Sequence, residues 1–152
     1  MKKGVQATPP PVRPRMRRIA SRSLRTGGGA IGIDIVEIKR LKKTSKRWGK
    51  AFLKKVYTQR ELDYANGRRF PYQHLAARFA AKEAIFKALG EVETDFVGWK
   101  NVEILNDASG KPVVHWHGAA EASRKKRKIR GVVVSLSHTE NYAVASAMLL
   151  FK

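Results

Sequence analysis

The segment from Pro71 to Gly90, "PYQHLAARFAAKEAIFKALG", constrains the fold more than any other part of the chain. Proline is favoured in the first turn of a helix and glycine just past its end, so the sequence predicts one long helix between these two residues. On a helical wheel at about 100° per residue, four large apolar residues fall on one arc. They are Leu75, Phe79, Phe86 and Leu89. The helix is therefore expected to have one apolar face.

The remaining segments predict a mixed α+β fold. "AIGIDIVEI" alternates as a strand does, and "KRLKKTSKRWGKAFLKKVY" after it has a basic helical pattern. Thr58 and Glu61 form a capping box that opens a short helix ending near Asn66. Four later strands are predicted, with a helix at "GAAEASRKKRKI" between the second and the third; the strands are "WKNVEIL", "KPVVHWH", "GVVVSLSH" and "NYAVASAMLL". With 152 residues and no internal repeat, the chain is expected to form one domain.

Composition narrows the classes of partner. The formal net charge is +20, which favours nucleic acid, an anionic membrane surface, a nucleotide or an acidic protein. No apolar run is long enough for a membrane span, so a soluble protein is expected. The chain has no cysteine, which fits a reducing compartment and leaves only carboxylate or imidazole ligands for a metal.

The first 29 residues differ in composition from the rest. Residues 1–29 carry eight Lys or Arg and no acidic residue, and they are rich in Pro, Gly and Ser. We interpret them as a flexible basic extension and residues 30–152 as the domain. Three origins of the extension stay open: an organellar transit peptide, a bacterial extension, or a start placed too early, with Met16 as the true first residue.

Two apparent motifs are set aside. Gly27, Gly29 and Gly32 fit the spacing G-x-G-x-x-G, but a dinucleotide-binding loop follows a strand and opens a helix, whereas these glycines precede a strand. His115 and His117 share one face of a strand with no third ligand nearby in sequence, which favours a surface or interface role over a metal site.

Charged residues on apolar faces are the strongest functional signal. Lys82 falls inside the apolar arc of the long helix, where a charge costs several kcal/mol unless it snorkels or meets a buried anion, and a phosphate would be such an anion. Lys87 follows Glu83 by four residues, and an ordinary surface ion pair would explain it alone.

Asp34, in the first predicted strand, is another charged residue at a position that looks interior. Asp34 lies on a segment that looks interior, and a partly buried carboxylate needs a cation. If Asp34 and Glu83 converge, the two carboxylates, waters and substrate phosphate oxygens would make a Mg²⁺ site. Lys82 and Lys87 would then face the phosphates. His138, where a later strand meets its turn, is placed to reach a ligand.

These residues resemble a known family. "GIDIVEIKRL" and "RFAAKEAIFKALG" look like the two signature motifs of the holo-acyl-carrier-protein synthases, which are small phosphopantetheinyl transferases. The resemblance continues through "YTQRELDYA", "GKPVVHWHG" and "VSLSHTENYAVA" in the family's order and spacing. It covers essentially residues 31–150, and only the N-terminal extension departs from the pattern.

The resemblance implies an activity, a fold and an assembly. The activity is Mg²⁺-dependent transfer of 4′-phosphopantetheine from coenzyme A to a serine of an acidic apo-acyl-carrier protein, in cytoplasmic fatty acid biosynthesis, with release of adenosine 3′,5′-bisphosphate. The fold is α+β, with a long helix packed on a small antiparallel sheet. The assembly is a homotrimer with active sites between neighbouring subunits. Neither a membrane span nor a specific nucleic acid is expected.

The resemblance also implies a role for each matching residue. Asp34 and Glu83 match Mg²⁺ ligands, and with Lys87, near the transferred phosphate, they match the catalytic residues. Four residues match coenzyme A contacts, namely Arg78, Lys82, Lys87 and His138, and Arg40 matches a contact with the carrier protein. The acceptor of the serine proton stays open between Glu83, a water on the metal and another carboxylate.

Two other functions compete with this interpretation. A small nucleic-acid-binding protein would use "KKTSKRWGK" and "RKKRKIR", but of the stacking aromatics only Trp48 lies in these runs, and the charges on apolar faces would have no purpose. A structural trimer without activity would keep the fold and discard the chemistry, and the intact Asp34 and Glu83 argue against it.

Overall fold

The computed structural model describes residues 28–90 and 98–152. The chain forms five strands and four helices there, in the order predicted: β1 Gly29–Glu37, α1 Ile38–Val56, α2 Gln59–Asn66, α3 Pro71–Leu89, a 3-10 turn Trp99–Asn101, β2 Val102–Asn106, β3 Pro112–Trp116, α4 Gly118–Lys126, β4 Ile129–His138 and β5 Tyr142–Phe151. The prediction of a flexible extension lies outside the described residues, apart from its last two residues, Gly28 and Gly29, of which Gly29 begins β1. Within those residues, no helix has the length and apolar character needed to span a membrane.

Local capping signals set the helix boundaries as predicted. At the start of α2, the Thr58 amide donates to the Glu61 carboxylate at 2.8 Å, and the Glu61 amide donates to the Thr58 hydroxyl at 3.3 Å. Pro71 is the first residue of α3, and Gly90 follows its end with φ of 90°. Helix α1 also has a kink that was not predicted, at Gly49, where φ is 63°.

The antiparallel sheet predicted from the family resemblance is confirmed. Strands lie in the order β1-β5-β4, all antiparallel, and β2 pairs with β3 in a separate two-stranded sheet. The register places Asp34 beside Ala145, and Ala145 beside Leu136. Helix α3 packs on the larger sheet through small side chains such as Ala84, which allow close approach of the two backbones.

Gly32 is the point where β1 and α3 approach most closely. A Cβ atom at this position would overlap the carbonyl oxygen of Ala84, so the packing leaves no room for a side chain. Gly29 and Gly32 both lie inside β1 and do not open a helix. These glycines therefore do not form a dinucleotide-binding loop, and Gly32 serves helix–strand packing.

The face of the larger sheet that points away from α3 is apolar and exposed. Ile31, Ile33 and Ile35 alternate with the buried residues of β1, and Ile31 is 71% exposed. The register continues the apolar surface from Ile31 to Met148 and on to Val133. No described element covers this face, which we call the open sheet face. Exposed apolar surface of this kind marks an interface.

Candidate active site

Asp34 and Lys87 form the centre of the site, at the contact of β1 with α3. Asp34 points toward the helix, and its side chain is 5% exposed. The Lys87 ammonium donates to Asp34 Oδ1 at 2.8 Å and to the carbonyl of Ile33 at 2.9 Å. The other carboxylate oxygen, Oδ2, is buried and has no hydrogen-bond partner among the described residues. A buried carboxylate oxygen without a donor fits a cation ligand.

Glu83 lies one helical turn before Lys87, on the same stripe of α3. It is half-buried, and the next residue, Ala84, is the one that approaches Gly32 of β1. The described residues contain no group of three His, Cys, Asp or Glu side chains able to hold a metal. Two carboxylates suit Mg²⁺, which binds through one or two carboxylates together with waters and substrate phosphates. Asp34 and Glu83 fit this donor set.

A second cluster lies at the other end of α3. His138 ends β4, and its ring meets the ring of His74 edge-on at 5.5 Å. His74 in turn contacts Tyr64, and the Arg78 guanidinium lies 4.0 Å from the centre of the Tyr64 ring. Burial lowers the pKa of His74, and the neighbouring His138 lowers it further. We call these four residues the histidine cluster.

Sequence reasoning missed His74 and Tyr64. His74 precedes Arg78 by four residues in a predicted helix, and this spacing predicts that their side chains are neighbours. Tyr64 lies on a different helix, and no pattern in the sequence connects it to them. Along α3, the 13-residue step from His74 to Lys87 spans about 20 Å. His138 is nearer to Asp34, because the strand register places it in the row of Ala143 and Val36, two residues along the sheet from the row of Asp34.

Arg78 is buried, and its guanidinium forms hydrogen bonds within the protein. Nε donates to the carbonyl of Ile104 at 3.1 Å, and a terminal nitrogen donates to Asn106 Oδ1 at 2.7 Å. Burial lowers the pKa of Arg78 below its ordinary value. These bonds attach α3 to β2. The contact of Arg78 with coenzyme A stays a prediction.

The prediction that Lys82 faces a phosphate is wrong. Its side chain is 0% exposed, and its ammonium donates to Glu61 Oε2 at 2.8 Å and to the carbonyls of Val56 and Trp99 at 3.0 Å each. An ammonium has three donors, so none is left for a substrate. Burial lowers the pKa of Lys82, and the Glu61 carboxylate opposes that shift. The buried anion inferred from the sequence exists, but it is Glu61.

His115 lies in β3, whereas His117 follows the end of this strand, and both histidines are close to Glu103. His117 Nε2 is 3.0 Å from Glu103, which also accepts from the Thr58 hydroxyl at 2.6 Å and from Arg60 at 3.2 Å. Burial raises the pKa of Glu103, but these bonds and the nearby positive charge outweigh burial and hold it below its ordinary value. His115 lies opposite Glu103 in the strand register. Glu103 therefore joins α2, β2 and the turn after β3.

Arg40 lies in the first turn of α1 and is exposed. The buried side of this helix includes Ile38 and Leu41. Its exposed cations form what we call the basic face of α1: Lys39, Arg40, Lys42, Lys43, Lys46, Arg47, Lys50, Lys54 and Lys55. No carboxylate of the described residues forms an ion pair with any of them.

Comparisons with known proteins identify the class to which this fold and site belong. The family model described as "4'-phosphopantetheinyl transferase superfamily" matches residues 30–147. The chain belongs to this superfamily, among the enzymes of the holo-[acyl-carrier-protein] synthase type.

Particular relatives support this membership. The holo-[acyl-carrier-protein] synthase of Desulforudis audaxviator is 47% identical over 120 residues, covering 78% of this chain and 89% of the relative. The crystal structure of the enzyme from Neisseria meningitidis has a TM-score of 0.73 at 35% identity, over 79% of this chain and 96% of that one. The ACPS–CoA complex of Chronobacterium ammoniagenes has a TM-score of 0.72 at 30% identity, over 82% and 98% of the two chains.

Proposed function

We propose that this enzyme transfers 4′-phosphopantetheine from coenzyme A to a serine hydroxyl of an apo-acyl-carrier protein, in fatty acid biosynthesis. The observation that carries the proposal is the unpartnered, buried Oδ2 of Asp34 next to the Lys87 ammonium, in a chain of the phosphopantetheinyl transferase superfamily. A similar protein is known as a CoA complex. The serine oxygen forms a bond to the phosphorus that bears pantetheine, and the bond to adenosine 3′,5′-bisphosphate breaks.

Each residue of the site has a proposed role in the transfer of phosphopantetheine. Asp34 and Glu83 would hold Mg²⁺, which when bound neutralises charge on phosphate oxygens. Lys87 is 41% exposed, so its ammonium is accessible to an incoming phosphate. The Ile33 carbonyl and Asp34 fix the position of that ammonium before substrate arrives. Such preorganised charge stabilises the transition state of phosphoryl transfer without reorganisation.

The active site is proposed to lie between neighbouring subunits of a homotrimer. The resemblance to the holo-acyl-carrier-protein synthases implies this arrangement, and within one protomer about 14 Å of helix separates Arg78 from Lys87. The open sheet face supplies apolar surface for association. Arg78 and His138 of one subunit would then meet the same coenzyme A molecule as Asp34 and Lys87 of the next.

Mixing two inactive variants tests this shared site. Asp34→Ala and His138→Ala proteins are each expected to have little activity, because each lacks one half of every site. After subunit exchange, some sites combine intact halves, and carrier-protein modification should reappear. Samples mixed without exchange are the control. If exchanged samples stay inactive, both halves act within one chain and the shared site is wrong.

The transferase activity itself is tested with coenzyme A, Mg²⁺ and an apo-acyl-carrier protein. Mass spectrometry should show addition of phosphopantetheine to the carrier serine, and a carrier with that serine replaced by alanine should stay unmodified. Omission of the metal should stop the reaction. If the carrier remains unmodified under all conditions, the proposed function is wrong.

The basic face of α1 is proposed to dock the acidic carrier protein through Arg40. Charge complementarity of this kind steers association and is screened by salt. Arg40→Glu should therefore raise the Michaelis constant for carrier protein roughly tenfold, as expected for a loss of about 1.4 kcal/mol, while that for coenzyme A changes little. Lys126→Glu is the matched control, because Lys126 is an exposed cation on α4, outside this face. Equal increases for both substrates would assign Arg40 to the coenzyme A site instead.

The domain of residues 30–152 is proposed to be sufficient for catalysis, because the family match begins at residue 30. Residues 1–29 would then add only salt-sensitive affinity for polyanions. We infer that the enzyme acts in the cytoplasm, which is consistent with its lack of cysteine.

A further inference from the structure

A basic cavity lies where α4 meets β4, away from the residues proposed for catalysis. Its volume is about 330 Å³, and five of its six lining residues are cationic: Arg124, Lys125, Lys128, Arg130 and Lys152, with Ile129 as the sixth. The cavity is at the start of β4, whereas His138 ends that strand, and nine residues of strand span about 30 Å. It is therefore distinct from the histidine cluster.

The cavity is also distant from the Asp34–Lys87 pair. Ile129 pairs with Phe151 of β5, whereas Asp34 pairs with Ala145 of the same strand. Six residues of β5 separate these two pairings, or about 20 Å. The proposed transferase chemistry gives these cations no role.

Lys128 adopts a backbone conformation that is unfavourable for lysine. Its φ is 56°, and it has the only positive φ among the non-glycine residues described. This position follows a helix end, where glycine is preferred because it has no Cβ atom. The conformation is held by the Lys128 amide, which donates to Lys125, and by the Lys152 amide, which donates to the Lys128 carbonyl. Strain that is retained at one residue is a reason to look for a function of its side chain.

The charges of the cavity are only partly balanced. Arg124 makes two hydrogen bonds to Glu121, at 2.6 and 2.7 Å, and a third to the carbonyl of Ile129. The Arg124 hydrogen bonds lower the pKa of Glu121 to about 2, so this carboxylate is ionised at neutral pH. Among the described residues, no carboxylate pairs with Lys128 or Arg130. Like charges that converge without a counter-ion repel one another, and a bound anion removes that cost.

We propose that this cavity binds a small anion with several phosphate groups. Lysine and arginine together suit phosphate oxygens, and Arg124 is held in a fixed orientation by Glu121 and Ile129. The cavity lining has no aromatic side chain on which a nucleobase would stack. Phosphate charge is therefore the feature recognised. Binding at this site is independent of the transferase reaction.

The variant Lys128→Gly distinguishes the backbone strain at this residue from the contribution of its side chain to anion binding. Glycine adopts positive φ without a steric cost, so this variant should unfold at a temperature roughly 2 to 4 °C higher than the natural protein in the absence of anion. The same variant should bind tripolyphosphate about tenfold more weakly, since one direct charge contact is lost. Arg130→Ser should also weaken binding by about tenfold, without the gain in thermal stability.

Isothermal titration of the full chain with tripolyphosphate, in magnesium-free buffer, measures these affinities. Residues 1–27 are present in every variant, so their contribution cancels. Lys126→Ala is the matched control, because Lys126 is exposed on α4 but does not line the cavity. Carrier-protein modification should be unchanged in all three variants, which makes this result independent of the proposed function.

Two outcomes would overturn the proposal. If Lys126→Ala weakened tripolyphosphate binding as much as Lys128→Gly and Arg130→Ser, the affinity would come from diffuse surface charge. If the substitutions altered binding of a single-stranded oligonucleotide but left tripolyphosphate binding unchanged, the site would recognise a nucleic-acid backbone and not a small anion.

Discussion

Replacement of Asp34 or Glu83 by alanine is expected to lower turnover about a hundredfold or more while the fold is retained. Charge stabilisation by a metal at a phosphoryl oxygen is worth several kcal/mol, and each 1.36 kcal/mol changes a rate about tenfold. The proposed site brings the two carboxylates together, so the cost in stability should be small, because each change removes one of two mutually repelling charges from the metal-free protein. In the Asp34 variant, the Lys87 ammonium is accessible to water and keeps its hydrogen bond to the Ile33 carbonyl, so it is not left buried without a partner.

Turnover at increasing Mg²⁺ concentration and thermal unfolding together test this expectation. Each variant should need more Mg²⁺ for half-maximal activity, if activity is measurable, and should unfold close to the natural protein. Asp63→Ala is the matched control, because Asp63 is an exposed carboxylate whose observed partner is Gln59. Unchanged turnover in both the Asp34 and Glu83 variants would rule out their proposed role.

Boundaries set by neighbouring residues were predicted correctly from the sequence. Thr58 and Glu61 cap each other across three residues, and Pro71 and Gly90 limit α3 through their own backbone preferences. These signals are local, so they do not depend on how the chain folds elsewhere. The alternation of β1 likewise predicted the strand and the interior position of Asp34.

Long-range partners could not be predicted in the same way. The sequence required a buried anion near Lys82, but Glu61 lies 21 residues earlier and is also part of a helix cap. The kink at Gly49 required knowledge of its φ, which the sequence does not give. Resemblance to a family placed Lys82 in a motif of functional residues, and only its three observed hydrogen bonds show that its role is structural.

The sequence predicted some features of the proposed metal site and not others. It predicted that Asp34 would need a cation, and the structure shows Lys87 in contact with one carboxylate oxygen. The second carboxylate oxygen is buried without a hydrogen-bond partner among the described residues, and no sequence pattern indicates this. The contact between the rings of His138 and His74 also follows only from the folded chain.

The Lys82–Glu61 ion pair is expected to stabilise the fold strongly, and the two residues are not expected to be interchangeable. Lys82→Met leaves the Glu61 carboxylate buried without a cation, which typically costs about 3–5 kcal/mol, a large share of the roughly 5–15 kcal/mol that stabilises a domain. Coenzyme A affinity should stay unchanged at temperatures where the variant is folded, because Lys82 has no donor free for substrate.

Exchange of the two residues, Glu61→Lys with Lys82→Glu, should not restore stability, although it restores opposite charges. Glu61 accepts from the amides of Thr58 and Ile104, so an ammonium in its place would face two donors. A carboxylate at position 82 would face the carbonyls of Val56 and Trp99. Urea unfolding measures the loss. The single variants Glu61→Lys and Lys82→Glu are the controls that show how much, if any, of the loss the exchange recovers. Recovery of natural stability in the exchanged Glu61–Lys82 variant would show that only the opposite charges matter and that the backbone contacts do not fix the direction of the pair.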